Sequence, residues 1–141
     1  FRKAFEKRRC IVPADGFFEW EGPKDRRQPS WYHRPDGGLL LFAGLYEWRK
    51  VDGGWQATFT IVTTGANSLI APVHDRMPVI LDGDAIDEWI LPNHPRPADL
   101  KRLLVPAPDD LLVPRRVSPR VNDVKNDDPS VLEEVTRAGF V

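Results

Sequence analysis

The segment Arg8-Arg9-Cys10-Ile11-Val12-Pro13-Ala14-Asp15-Gly16-Phe17-Phe18-Glu19-Trp20 places one carboxylate inside a run of aromatic and aliphatic residues. Side chains of a strand alternate between two faces, so Phe18 and Trp20 share one face and Glu19 lies on the other with Phe17 and Glu21. A carboxylate amid apolar surface is costly unless it is hydrogen-bonded, paired or protonated, and such a group is often a working acid or base. Glu19 is therefore a candidate catalytic residue, although an isolated Glu beside aromatic residues is more often solvated or part of an ordinary ion pair.

Outward from this segment, the first half of the chain has the patterns of strands joined by short loops. The predicted elements are a helix over 1–8, a buried connection into a strand over 10–21, strands over 30–34 and 39–49 that form a hairpin around Pro35-Asp36-Gly37-Gly38, a turn at Asp52-Gly53-Gly54, and a strand over 55–64. Consecutive strands joined by short loops pair antiparallel.

Helices and shorter strands are predicted for the second half. They are a short helix over 67–71, a strand over 77–81, a helix capped by Asp82 or Asp84 and running to Leu91 with Ile86, Trp89 and Ile90 inward, a helix over 97–104, a strand over 111–117, and a terminal helix opening at Asp128-Pro129 with Val131, Leu132 and Val135 inward. This order favours an α+β fold, β-rich and largely antiparallel with peripheral helices, in one domain over 1–141.

The composition limits the classes of function. A formal net charge of -1 argues against a bulk polycation that coats nucleic acid, and the two basic clusters, at 2–9 and at 115–120, are as well explained by solvated faces as by a groove. The single cysteine excludes an internal disulfide and a Cys-rich zinc site. With no apolar run of membrane length and no signal-peptide pattern, we expect a monomeric protein of the cytoplasm.

A second chemical motif is Val73-His74-Asp75-Arg76-Met77-Pro78, a short polar island preceded by Pro72. Histidine is the side chain best suited to moving protons near neutral pH, and arginine has a planar donor fork that binds phosphate oxygens. A loop histidine paired with Asp75, beside a surface arginine, is an equally good interpretation of this motif alone. No HExxH, GxSxG, Walker or GxGxxG pattern is present, and Cys10 has the surroundings of a small core residue.

Four segments in order, RRCIVPADGFFEW, FTIVTTGAN, VHDRMPVIL and VSPRVNDVKNDDP, closely resemble the SRAP family, the SOS response-associated peptidases or abasic-site processing proteins. The resemblance implies a β-rich α+β fold with a groove for single-stranded DNA that contains abasic sites. It also implies covalent capture of the abasic site as a thiazolidine formed by a cysteine at the mature N-terminus. By motif position, Glu19 and His74 match catalytic residues, and Thr63 and Arg76 match positions that contact DNA; no cofactor or metal is implied.

One departure from the family pattern affects the expected activity. The segment that carries the family's N-terminal cysteine is not among these residues, so we expect a domain truncated at its N-terminus and inactive in capture by itself. Cys10 cannot replace that cysteine, because a thiazolidine needs the amine and the thiol of one residue and the nitrogen of Cys10 lies in a peptide bond. Two alternatives stay open: a non-catalytic module that binds single-stranded DNA, and a peptidase that cleaves its own leader.

Overall fold

The computed structural model describes residues 1–136. Its helices and strands are α1 (Arg2–Lys7), β1 (Arg9–Ala14), β2 (Phe17–Glu21), β3 (Gln28–His33), β4 (Leu40–Val51), β5 (Gly54–Ile61), β6 (Thr63–Gly65), β7 (Arg76–Pro78), α2 (Asp84–Ile90) and β8 (Val113–Arg116), with 3-10 helices at Pro97–Leu103, Pro119–Asn122 and Pro129–Leu132. The strands pair antiparallel in the orders β1-β4-β5, β2-β3-β8 and β6-β7. This architecture confirms the predicted α+β, largely antiparallel fold.

The opening segment forms two strands rather than a connection followed by one strand. β1 pairs with β4, whereas β2 pairs with β3 in a different sheet. The chain changes sheets at Asp15-Gly16, where the indole of Trp31 packs against the backbone. A Cβ on Gly16 would lie 2.0 Å from Trp31 Nε1, so only glycine fits at this bend.

The predicted hairpin between β3 and β4 is wrong, although the turn itself is present. Gly37 donates its N–H to the carbonyl of Arg34 at 3.1 Å, but β3 pairs with β2 and β8 while β4 pairs with β1 and β5. The two-residue hairpin lies instead at Asp52-Gly53, where both residues have positive φ, 44° and 81°, as a tight hairpin turn with right-handed twist requires.

β4 is the central strand because both of its faces are apolar. Leu40 and Phe42 belong to one buried cluster, which also contains Tyr32, Ile70 and Met77. The other cluster packs Ala43 and Leu45 of the same strand against residues of α2 and of the 97–103 helix, namely Trp89 and Leu100. Alternation along one strand thus supplies both cores.

The second half contains less regular helix than predicted. The 67–71 segment is a series of turns, in which the Asn67 side chain accepts from the N–H of Ile70 at 3.0 Å and donates to the carbonyl of Ala107 at 3.0 Å. Within the segment one helical bond forms, from the N–H of Ala71 to the carbonyl of Asn67 at 2.9 Å, and Pro72 has no N–H to continue the series. The segment therefore ends as an irregular loop that leads to His74.

The remaining predicted helices lie where the sequence placed them, but their caps, buried faces or helix type differ from the prediction. α2 begins after Gly83 with no side-chain cap, so neither Asp82 nor Asp84 caps it. Trp89 is fully buried, whereas Ile90 is 45% exposed and not inward as predicted. The segments after Pro97 and Asp128 are 3-10 helices, and Val135 lies beyond the second of them, where its N–H donates to the carbonyl of Arg116.

Candidate active site

Glu19 lies at the edge of the apolar core, on the face of β2 that the alternation predicts. Phe17, on the same face, stacks on Tyr32 with ring centroids 5.5 Å apart and contacts Phe42 edge to face at 6.1 Å. Glu19 is consequently half-buried. Burial raises the pKa of the Glu19 carboxyl, and the positive charge of a protonated His74 offsets part of that rise.

His74 follows the turns at 67–73 and is held by the backbone of its own loop. Its Nδ1 lies 2.9 Å from both the N and the O of Arg76, and 3.4 Å from Oδ1 of Asp75. In one neutral tautomer Nδ1 accepts from the Arg76 N–H and the proton is on Nε2; in the other, Nδ1–H donates to the Arg76 carbonyl and Nε2 has the lone pair. A protonated ring can donate to the same carbonyl. The loop therefore accommodates both protonation states of the imidazole, as a group that transfers protons requires.

Glu19 and His74, far apart in the sequence, line the same cavity of about 380 Å³. One wall comes from β2 and the turn after it, and the other comes from the loop before β7. The residues that line it are Glu19, Trp20, Glu21, Gly22, Arg27, Pro72, Val73 and His74. The structure thus brings together the two residues predicted to be catalytic.

Thr63 and Arg76, the residues predicted to contact DNA, are hydrogen-bonded to each other and do not line the cavity. Nη2 of Arg76 donates to the carbonyl of Thr63 at 2.8 Å and lies 3.2 Å from its Oγ1. The pairing of β6 with β7, in which Gly65 lies opposite Arg76, holds the two side by side. Both are exposed, and the Arg76 N–H bond to His74 places this pair next to the cavity.

The cavity lining includes three polar or aromatic side chains that were not predicted as functional, those of Trp20, Glu21 and Arg27. Glu21 and Arg27 line it with Glu19, and Trp20 is fixed by a hydrogen bond from its Nε1 to Oδ1 of Asn122 at 2.6 Å. Alternation along the strand already put Glu21 on the face of Glu19, which is the signal that could have identified it. Arg27 and Asn122 carry no comparable signal, because both lie in polar, charged stretches.

Cys10 was predicted to be a small core residue, but it lies in β1, is only half-buried and belongs to neither of the two buried clusters. Its thiol packs against Gly44 of β4, where an added Cβ would lie 2.9 Å from Sγ. Burial raises the pKa of the Cys10 thiol and so disfavours the nucleophilic thiolate.

The basic cluster at the start of the chain is largely engaged in internal contacts. Arg8 pairs with Glu47 at 2.6 Å. Arg9 donates to backbone carbonyls at 2.6 to 2.8 Å, among them those of Trp89 and Leu91, and so fastens β1 to α2. These two guanidinium groups serve the fold.

The basic cluster near the end of the chain is also engaged in internal contacts. The guanidinium of Arg115 lies over the ring of Trp31 at 5.2 Å, and Arg120 donates to Ser130 Oγ at 3.0 Å and to Asn126 Oδ1 at 3.3 Å. Both guanidinium groups therefore make contacts within the fold.

Among residues 1–136, no three side chains of His, Cys, Asp or Glu are grouped to hold a metal ion. No helix in this part of the chain is long and apolar enough to cross a membrane.

Comparison with proteins of known sequence gives consistent matches. Abasic site processing protein YoqW of Bacillus subtilis strain 168 is 41% identical over 136 residues, which cover 94% of this chain and 60% of the relative. Abasic site processing protein HMCES of Gallus gallus is 34% identical over 146 residues, covering 89% of this chain and 43% of the relative. The chain therefore spans at most about 60% of the length of these two curated relatives.

Solved structures share the fold. A protein from Bacteroides thetaiotaomicron superposes with a TM-score of 0.84 at 29% identity, over 96% of this chain and 60% of that one. A protein from Bordetella bronchiseptica superposes with a TM-score of 0.73 at 33% identity, over 84% of this chain and 59% of that one. The family model described as SOS response associated peptidase (SRAP) matches residues 1–124. The chain therefore belongs to the SRAP family, as its four motifs indicated.

Proposed function

We propose that the full-length protein captures abasic sites in single-stranded DNA covalently, with Glu19 and His74 as its proton-transfer pair. The observation that carries the proposal is the shared cavity, in which a half-buried carboxylate and an imidazole from distant segments line one space. The names of the relatives as abasic site processing proteins support the substrate class.

The proposed reaction moves protons at each of its steps. The amine of an N-terminal cysteine adds to the aldehyde carbon of the ring-opened sugar, and the resulting carbinolamine loses water to form a Schiff base. The thiol of the same cysteine then adds to the imine carbon, its proton passes to the imine nitrogen, and the thiazolidine closes, so water is the only product released. An acid must protonate the departing hydroxyl and a base must take a proton from the attacking amine.

The surroundings of the two residues suit these roles. Because burial raises the pKa of Glu19, this carboxyl keeps a proton at higher pH than an exposed glutamate and can give it to the departing hydroxyl. In the tautomer whose Nδ1–H donates to the Arg76 carbonyl, Nε2 of His74 has the lone pair that can take a proton from the amine. Arg76, held by Thr63, would bind a phosphate beside the sugar and position it without reading sequence.

Cys10 does not supply the nucleophile. It lies within β1, paired with Gly44, and its nitrogen is part of a peptide bond. The proposal therefore applies to the protein with its native N-terminus, and we expect the 141 residues alone to form no adduct.

The test uses the full-length protein and a single-stranded oligonucleotide with one abasic site, beside the same oligonucleotide without the lesion. We expect an adduct that survives denaturing electrophoresis with the abasic strand alone. Glu19→Gln and His74→Ala should each slow its formation about 10²-fold or more, the range of one acid–base group. Glu21→Gln, a change of the same kind in the same cavity, is the matched control and should remain within a few-fold of wild type.

A non-catalytic DNA-binding module is the second candidate, because Thr63 and Arg76 are exposed and paired outside the cavity. Salt-dependent binding to single strands with no denaturant-resistant adduct from the full-length protein would favour that alternative and refute the capture proposal.

A further inference from the structure

Arg27 has a defined place at the mouth of the cavity. The turn that precedes it begins at Gly22, which has φ of 97°, and is closed by a bond from the N–H of Arg26 to the carbonyl of Pro23 at 2.9 Å. The residue that follows it, Gln28, donates through its side chain to the carbonyl of Val117 at 2.9 Å. Because both neighbours are fixed, the backbone holds Arg27 beside the cavity.

The guanidinium of Arg27 makes no hydrogen bond or ion pair to any of residues 1–136. Other arginines in the same region are engaged: Arg26 pairs with Asp25 at 3.7 Å, and Arg76 donates to Thr63 at 2.8 Å. The Arg27 guanidinium therefore has its donors available to a ligand in the cavity, whereas Arg76 offers only those that Thr63 does not occupy.

The charges around the cavity indicate which part of a DNA ligand Arg27 contacts. Glu19 and Glu21 put two carboxyl groups on the wall formed by β2, and these disfavour an incoming phosphate when they are ionised. Arg27 lies at the end of that wall, whereas Arg76 lies beyond the opposite wall, two residues after His74. Each of the two segments that form the cavity walls thus carries a guanidinium group in or next to the cavity.

We infer that Arg27 binds the DNA backbone phosphate on the side of the lesion opposite to the phosphate bound by Arg76. The inference rests on the proposed function for its ligand, single-stranded DNA, and adds a second anchor that fixes the strand across the cavity. A planar guanidinium with unoccupied donors forms bidentate contacts to a phosphate, which a lysine ammonium does not reproduce.

The test measures binding of the full-length protein to a lesion-free single strand by fluorescence anisotropy over a range of salt concentrations. Arg27→Gln should raise Kd about tenfold, the effect of losing one charge-assisted hydrogen-bonded contact. It should also reduce the steepness of log Kd against log salt by about 0.7, the value for one phosphate contact on a single strand. Arg27→Lys should keep the salt dependence and recover part of the affinity.

Arg26→Gln is the matched control, because it removes the same charge from the adjacent residue and should change Kd less than about twofold. The inference is overturned if Arg27→Gln and Arg26→Gln have the same Kd and the same salt dependence.

A second readout separates this inference from the proposed function. Capture of the abasic strand by Arg27→Gln should be slow at low DNA concentration and approach the wild-type rate as DNA is raised. Wild-type protein that binds DNA through Arg27 and yet forms no adduct would refute the capture reaction and support the phosphate contact. Wild-type protein that forms the adduct, with an Arg27→Gln variant indistinguishable from it at every DNA concentration, would refute the phosphate contact alone.

Discussion

Replacing Trp89 with phenylalanine tests the packing of α2 on β1, the strand that leads into the site. Trp89 is fully buried, its Nε1 donates to the carbonyl of Cys10 at 2.9 Å, and its ring meets Phe5 edge to face at 5.7 Å. Phenylalanine keeps an aromatic ring but leaves the Cys10 carbonyl without its donor, at a cost of about 1–3 kcal/mol. The missing part of the indole leaves a void that costs about 1 kcal/mol more, so we expect a loss of about 2–4 kcal/mol in the free energy of unfolding.

Urea unfolding of the full-length protein measures this loss. With an m-value of about 2 kcal/mol/M, the midpoint should fall by about 1–2 M. Trp48→Phe makes the same chemical change at a side chain that is 56% exposed, and its effect should stay within about 0.5 kcal/mol. Equal midpoints for the two variants would refute the assignment of Trp89 as the residue that joins α2 to β1.

Three further predictions concern the site. Because burial raises the pKa of Glu19 in the folded state, the folded protein binds the Glu19 proton more tightly than the unfolded chain does. The stability of the wild type should therefore fall as pH rises from the ordinary glutamate pKa to the raised one. Glu19→Gln should abolish that loss and be the more stable protein at pH 7 in thermal unfolding, and a variant less stable at pH 7 would contradict this. Thr63→Val removes the Oγ1 contact to Arg76 and keeps the carbonyl contact. Kd for single-stranded DNA should therefore rise about two- to fivefold in anisotropy titrations. An unchanged Kd would show that the Thr63 hydroxyl does not position Arg76 for DNA binding. Cys10→Ala should leave the rate of abasic-site capture unchanged in a gel assay, and loss of the adduct would identify Cys10 as the nucleophile after all.

Local chemistry accounts for the parts of the fold that the sequence predicted. The face of Glu19 followed from strand alternation, and the turn at Asp52-Gly53 followed from the need for positive φ at both residues. The β3–β4 pairing failed because turn residues specify that the chain reverses, not which strand it then joins. β4 has two apolar faces and is enclosed by partners on both edges, a property of the assembled sheet that a turn motif does not encode.

For a related reason, the sequence identified some residues of the site and missed others. Read alone, Glu19 had a better non-functional explanation and His74 an equally good one. Only the family motifs linked the two before the structure put both on one cavity. Arg27 was missed because a charged turn has the same sequence character whether its arginine is solvated or faces a ligand. Arg26 differs from Arg27 in that Arg26 pairs with Asp25 whereas Arg27 lines the cavity, and no sequence pattern records that difference.

The central claim is that Glu19 and His74 act together on one ligand in one cavity, and a double-mutant cycle on the rate of abasic-site capture tests it most directly. Rates would be measured at saturating abasic DNA for full-length wild type, Glu19→Gln, His74→Ala and the double variant. If the two residues serve the same proton-transfer sequence, each single variant should be slower by about 10²-fold or more, and the double variant should be within about tenfold of the slower single variant. Wild-type rates in both single variants, or two losses that multiply fully in the double variant, would contradict the account.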